Sequence, residues 1–261
     1  MTKKQFITLN NNIDKLIAFT PSLDKHYRTN QMVSSKPFQI ETLDVIENLQ
    51  DKGWKIKGSY QNLNPKTKQI KDHTIKMEHP DFSMLNSKGK TEAIANLTIG
   101  NSCDGSSPLD LNLGVFRLVC SNGMIRRDTL QAQNINHNES NYYNLNKILS
   151  DLNIQTSEVI KEFSFLKKKD LTPEEIFNFA LKSAKKRFGN KKVIESSQLL
   201  KAVRSEDEGN NLWNVFNRIQ ENLTQPFRLL DLKGNKLLGI NSISQDIKIN
   251  SELSELAYSY V

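Results

Sequence analysis

The stretch from Ala93 to Arg127, AIANLTIGNSCDGSSPLDLNLGVFRLVCSNGMIRR, constrains the fold more than any other part of the chain. Ala93, Ala95, Leu97 and Ile99 alternate with Ile94, Asn96 and Thr98, the period of a strand with one buried face. Leu109, Leu111 and Leu113 alternate with Asp110 and Asn112 in a second strand. Between them, Asp104-Gly105-Ser106-Ser107-Pro108 reads as a turn. Asp-Gly tolerates positive φ, and Pro108 begins a strand without needing a ladder donor. After Gly114 the apolar residues change parity to Phe116, Leu118 and Cys120, with Arg117 among them, which predicts a bulge or bend at Gly114. Ser121-Asn122-Gly123 then stops the strand. Two readings of it stay open. It is a turn of residues that accept left-handed backbone angles, or it is an anion site in which strand-end N–H groups, followed by Arg126 and Arg127, hold a phosphate.

The rest of the chain sets the class. Leu43, Ile46 and Leu49 recur at helical spacing from Glu41 to Lys52, and Gly53 is a natural stop. Trp54, Ile56 and Tyr60 predict a strand, and Ile75 and Met77 a second one ending before Pro80, with a loop over 81–90. The N-terminal part predicts a short strand or helix around Phe6–Phe19, then a loop holding His26, Tyr27 and Arg28 and closed by Ser35-Lys36-Pro37. From Asn144 the period is helical, with one stripe at Leu145, Ile148, Leu149 and Leu152 and another at Val159, Ile160, Phe163 and Leu166. Thr172-Pro173-Glu174-Glu175 is a capping box with Pro at the first helical position. Its helix is expected to bury Ile176, Phe177, Ala180, Leu181 and Ala184 and to end near Gly189. Further helices are marked by Leu199, Leu200 and Val203, by Leu212 to Leu223, and by Glu252 to Tyr260. Trp213 lies in an apolar stripe and reads as a core anchor rather than a base-stacking platform. Lys233-Gly234-Asn235 is a turn. The expected fold is α+β, an antiparallel sheet of two hairpins with a helix in the N-terminal half and a mainly helical C-terminal half. The expected division is a mixed core over 1–140 and a helical region over 141–261 packing on it as one globular unit.

The chain has 261 residues and a net charge of +7. That length buries an ample core, and that charge favours an acidic partner. No apolar run reaches the ~20 residues of a membrane span, so no membrane partner is expected. MTKKQFITLN lacks the apolar core of a signal peptide. Cys103 and Cys120 make no disulfide framework and, across the predicted hairpin, sit far beyond bridging distance. A reducing cytoplasm is expected. Lys182, Lys185, Lys186, Arg187, Lys191 and Lys192 form a run without an acid at the end of the 173–189 helix. The helix dipole accounts for some of them, and phosphate contact is the other reading.

Catalytic constellations are scarce. His26, His73, His79 and His137 are scattered without metal-ligand spacing, and no phosphate-binding glycine loop or nucleophile elbow is present. Neither a metal nor a cofactor is expected. Asp104 is the best single candidate for chemistry, in a segment that reads first as a turn.

Asn101-Ser102-Cys103-Asp104-Gly105-Ser106-Ser107, then Phe116-Arg117-Leu118-Val119-Cys120-Ser121-Asn122-Gly123-Met124, resembles the hallmark of the family of domain of unknown function 932. Leu212-Trp213-Asn214-Val215-Phe216-Asn217-Arg218-Ile219 resembles its later helical motif, and Asn250 to Tyr260 its closing helix. The resemblance covers about residues 40–260. The family pattern has His where this chain has Cys103, so a role of that His as ligand or proton carrier does not transfer. The resemblance implies a phage or plasmid context and an α+β fold, not a defined activity.

Two function classes follow. The first is a nucleic-acid-binding accessory protein without catalysis, acting in DNA replication, recombination or protection. Its contacts would be Arg117, Arg126, Arg127, Lys182, Lys185, Lys186, Arg187, Lys191 and Lys192, with Asn101, Asp104, Gly105, Ser121, Asn122 and Gly123 as the motif. The helix–hairpin–hairpin order is loosely similar to single-strand annealing proteins, by fold analogy alone. The second is an inhibitor of a host defence system acting by protein contact. An enzyme centred on Asp104 and Arg117 is the third alternative.

Overall fold

A computed structural model describes residues 7–23, 39–63, 70–103, 105, 107–118, 123–126, 134–190, 193–240 and 242–261. The fold is α+β. Strands β1 (Ile7–Thr8), β2 (Lys55–Leu63), β3 (Ile70–Leu85), β4 (Thr91–Ser102), β5 (Leu109–Arg117) and β6 (Gly123–Arg126) lie side by side in chain order, with β7 (Asn134–Ile135) beside β5. The β1–β2, β2–β3, β3–β4 and β5–β7 pairs are antiparallel. The helices are α1 (Ile13–Phe19), α2 (Thr42–Asp51), α3 (Glu139–Leu166), α4 (Pro173–Phe188), α5 (Ser196–Leu200), α6 (Leu212–Thr224) and α7 (Ile243–Tyr258).

Several expectations change. Strand β3 does not stop before Pro80 but runs to Leu85. His79 pairs with Ala95 and Ser83 with Ile94, so Pro80, Asp81 and Phe82 form a bulge in which the missing proline N–H breaks no ladder bond. The predicted loop shrinks to the turn around Asn86, whose side chain accepts from the Lys88 and Lys90 N–H groups. Strand β5 does not change phase at Gly114. Leu109, Leu111, Leu113, Val115 and Arg117 are all buried on one parity, while Phe116 is half-buried and Leu118 exposed. The apolar pattern misled because an arginine occupies a core position. Helix α4 has its capping box, with Glu175 N donating to Thr172 Oγ1 and Thr172 N to Glu175 Oε2. Its buried face, however, is Phe179, Ala180, Ser183 and Ala184, and Phe177 and Leu181 point to solvent. Val203 likewise falls beyond the end of α5 and is exposed, and α7 starts nine residues earlier than expected, at Ile243 rather than Glu252.

The two stripes expected after Asn144 are one. Leu145, Leu149, Leu152, Thr156, Val159, Phe163 and Leu166 are buried along α3 at alternating spacings of four and three. Thr156 fits this apolar row because its hydroxyl donates to Leu152 O at 2.7 Å.

Contacts gather the chain into two compact units, each built from separated segments. The first comprises Met1–Gly114 and Arg127–Glu158, the second Val115–Arg126 and Val159–Val261. In the first, Lys52 O at the end of α2 accepts from His79 Nε2 at 2.9 Å and Asn153 Nδ2 at 3.1 Å, and Asn153 Oδ1 accepts from Trp54 Nε1 at 3.1 Å. One orphan helix carbonyl thus ties α2, β3 and α3 together, and Trp54, just ahead of β2, joins them through Asn153. In the second, β6 runs against α7, and α4 packs on α5, α6 and α7. Trp213 is 1% exposed there, the core anchor its stripe predicted.

Candidate functional site

The motif segment begins in the last residues of β4. Asn101, Ser102 and Cys103 are buried, and Cys103 is in no disulfide with a described residue. Ser102 closes the loop that follows: its Oγ donates to Ser107 O at 3.1 Å and accepts from Ser107 N at 2.8 Å. Gly105, inside that loop, has φ 66°, the left-handed backbone expected of it. Two residues outside the motif hold the loop from its sides. Gln39 Nε2 donates to Ser102 O at 3.1 Å, and His137 Nε2 donates to Ser107 O at 2.9 Å while its Nδ1 accepts from Ile40 N at 3.1 Å. Asp104 lies outside the described residues, as do His26, Tyr27, Arg28, Cys120, Ser121, Asn122, Arg127, Lys191 and Lys192.

Behind the loop the polar groups form an ordered chain. His73 on β3 is the register partner of Asn101 on β4, and both are buried. Asn101 Nδ2 donates to Thr42 Oγ1 at 3.0 Å and to Ile40 O at 3.1 Å, while its Oδ1 accepts from Ser102 N. Thr42 Oγ1 lies 2.8 Å from His73 Nε2, and Ser22 Oγ lies 3.1 Å from His73 Nδ1. Ser22 Oγ in turn donates to Gln61 Oε1 at 3.2 Å, and Gln61 Nε2 to Phe19 O. A hydroxyl has one hydrogen. Ser22 gives its hydrogen to Gln61, so it accepts from His73 Nδ1–H. Thr42 Oγ1, which accepts from Asn101 Nδ2, is the partner of Nε2. The connectivity places a proton on Nδ1 of an imidazole held between two hydroxyls.

This arrangement positions a loop: its amides, hydroxyls and imidazole bond to one another and to backbone. Among the described residues no group of three or more His, Cys, Asp or Glu could hold a metal ion. Neither His73 nor His137 was singled out from sequence. For His73 a signal existed: it shares the inward parity of Ile75, Met77 and His79, so it had to be a buried histidine with partners. His137 carried none.

The predicted basic residues fall into different surroundings. Arg117 is 2% exposed, and its Nη1 donates to Asp207 Oδ1 at 2.5 Å, so this side chain is inside the second unit and out of reach of a phosphate. Burial pushes the Asp207 carboxyl up, against the opposing pull of Arg117. Gly123 and Arg126 open and close β6. Lys182, Lys185 and Lys186 are exposed on one face of α4, at positions i, i+3 and i+4. Lys182 Nζ sits 5.5 Å from the centre of the Tyr260 ring. Arg187 is half-buried, donates to Leu238 O, and is lowered by burial to about 10, still cationic at neutral pH.

A family profile for the domain of unknown function (DUF932) matches residues 30–242. Two proteins of Escherichia coli (strain K12), UPF0380 protein YfjQ and UPF0380 protein YafZ, are each 25% identical over 264 residues, covering 94% of this chain and 89% of their own length. No solved structure matches.

Proposed function

The chain belongs to the domain of unknown function (DUF932) family, and from that premise we propose that it is a nucleic-acid-binding accessory protein of a phage or plasmid, without catalysis, acting in DNA replication, recombination or protection. The observation that carries this reading is the cationic end of α4. Lys185 and Lys186 are exposed and make no ion pair with any described residue, and Lys182 extends the same face. The helix dipole stabilises cations within the last turn only, and uncompensated neighbouring lysines repel one another. A polyanion relieves that repulsion and releases its own counterions. No described helix is long and apolar enough to cross a membrane, and a host-cell cytoplasmic location belongs to this reading. A mobility shift with single- and double-stranded oligonucleotides at low salt tests it. No shift at micromolar protein would sink it.

The second reading, inhibition of a host defence system by protein contact, is favoured by one feature. Phe177 and Leu181, 51% and 44% exposed, form an outward apolar pair one turn apart on α4. The ultraviolet absorbance ratio of the purified protein, before and after a high-salt wash, separates the two. An enzyme centred on Asp104 and Arg117 gains nothing, since the Arg117 guanidinium is committed to Asp207.

A further inference from the structure

Glu221 of α6 is 5% exposed, and its two carboxylate oxygens serve different arginines. Arg204 Nη1 bonds Oε2, and Arg228 Nη2 lies 3.6 Å from Oε1. The arginines are 26% and 41% exposed, so one buried anion holds two guanidinium groups whose outer edges face water. Two cations on one anion leave one positive charge in excess. The neighbouring Arg117–Asp207 pair is neutral, and the flanking Arg218 and Glu206 add one charge of each sign. A guanidinium has five donors in a planar fork. The Glu221 bond orients the Arg204 fork before any ligand arrives, and the same carboxylate keeps the Arg228 charge close by as a looser ion pair.

Phe227 directly precedes Arg228. It is 58% exposed and has φ 62°, a left-handed conformation that a bulky residue rarely adopts. The surrounding ribbon enforces it. Phe227 N donates to Leu237 O at 2.9 Å and Leu237 N to Leu229 O at 2.8 Å, with Leu229 and Leu237 buried. The Gln198 amide clasps Leu230 from the side, accepting from its N–H at 2.7 Å and donating to its C=O at 3.3 Å. A phenyl ring is therefore presented to solvent one residue ahead of the Arg228 guanidinium in the chain. Lys233 and Lys236 on the same ribbon are exposed without an ion pair to any described residue. Arg187, at the cationic end of α4, ties itself to the ribbon at Leu238 O.

We propose that the Arg204–Glu221–Arg228 clamp and the Phe227 ring form a site for single-stranded nucleic acid, the guanidinium pair taking a phosphodiester and the ring stacking an unpaired base. It rests on the nucleic-acid-binding reading above. Guanidinium forks match phosphate oxygens in fixed geometry, and an exposed ring stacks on any base whose face is free. In a duplex those faces are already covered, so the ring contributes only to single strands.

The test is fluorescence anisotropy with a labelled oligothymidylate and a labelled hairpin duplex, on the full chain. Phe227→Gly removes the ring and the backbone strain together, so its melting temperature is expected at or above that of the parent. Phe227→Asn, which also accepts a left-handed backbone, checks this with a side chain in place. Both are expected to weaken single-strand binding about five- to a hundredfold, with duplex binding unchanged. Arg228→Gln is expected to lower the salt slope by about one unit. A parent that binds neither probe overturns the nucleic-acid reading itself. A parent that binds single strands, with variants that match it, overturns this site and leaves that reading standing. A parent that prefers the duplex overturns the assignment to single strands.

Discussion

Arg117 and Asp207 stand 90 residues apart in the chain and meet with Nη1 2.5 Å from Oδ1, at 2% and 1% exposure. An ion pair this deep is dominated by desolvation, as the raised Asp207 carboxyl indicates. Removing one partner therefore strands a buried charge, whereas removing both strands none. Arg117→Met and Asp207→Leu are each expected to cost about 3–5 kcal/mol, and the double variant much less than their sum. Urea unfolding of the parent, the two single variants and the double variant checks this. Additive costs would mean that the two side chains do not depend on each other.

The polar chain behind the motif loop predicts a tautomer and a stability loss. Nitrogen chemical shifts should report His73 protonated on Nδ1, since Ser22 gives its own hydrogen to Gln61 and accepts there. Thr42→Val removes the hydroxyl that joins Asn101 to His73 and is expected to cost about 1–3 kcal/mol, the range for a buried group left unsatisfied. An unprotonated Nδ1 in the parent would reverse the direction of the Ser22–His73 bond.

Gly53 stops α2 at φ 94°, and a Cβ there would lie 2.7 Å from His79 Nε2. Gly53→Ala thus combines a left-handed backbone, itself about 1–2 kcal/mol, with displacement of the imidazole that bonds Lys52 O. A loss above about 2 kcal/mol is expected in thermal melts. A loss of only the backbone share would show that His79 yields without weakening the helix end.

The capping box of α4 carries a pH signature. The Thr172 backbone N–H, bonded to Glu175, holds this carboxyl below its usual value of 4.5. A depressed carboxylate stabilises the fold above its ordinary value, and that contribution is lost as the pH falls through the lowered one. Glu175→Ala should therefore melt below the parent at pH 7, by a gap that narrows below about pH 4. An equal gap at both pH values would mean that the ionised Glu175 carboxylate adds nothing to the helix start.

How far the sequence could be read depended on which signal was local. The α4 capping box, the Gly53 stop and the strand over Ala93–Ile99 are decided by adjacent residues, and each was legible, although that strand is covered on both faces, with Ile94 and Thr98 buried as well as the expected row. The β5 phase was not, because Arg117 looks like a surface residue until Asp207, far along the chain, supplies its counter-charge. The face of α4 was misjudged for a similar reason. Phe177 and Leu181 are as apolar as Phe179, and only tertiary packing selects which side is covered. Of the candidate sites, the motif loop was visible as a string of turn residues. His137 and Gln39 joined it through pairings that no spacing reveals, and the strand parity of His73 showed its burial but not its partners. The Glu221 clamp was hidden too, since Arg204 and Arg228 flank α6 at opposite ends.

The claim that this chain binds nucleic acid through the end of α4 is tested most directly by the salt dependence of its affinity. The dissociation constant for an oligonucleotide is measured across a salt series for the parent and for Lys185→Ala/Lys186→Ala, two exposed cations that make no ion pair with a described residue. The parent's affinity is predicted to fall steeply with salt, and the double variant to lose about two units of slope, roughly one per phosphate contact. A variant that binds as the parent does, with the same slope, would contradict the claim, and α4 would then end in nothing more than a solvated run of lysines.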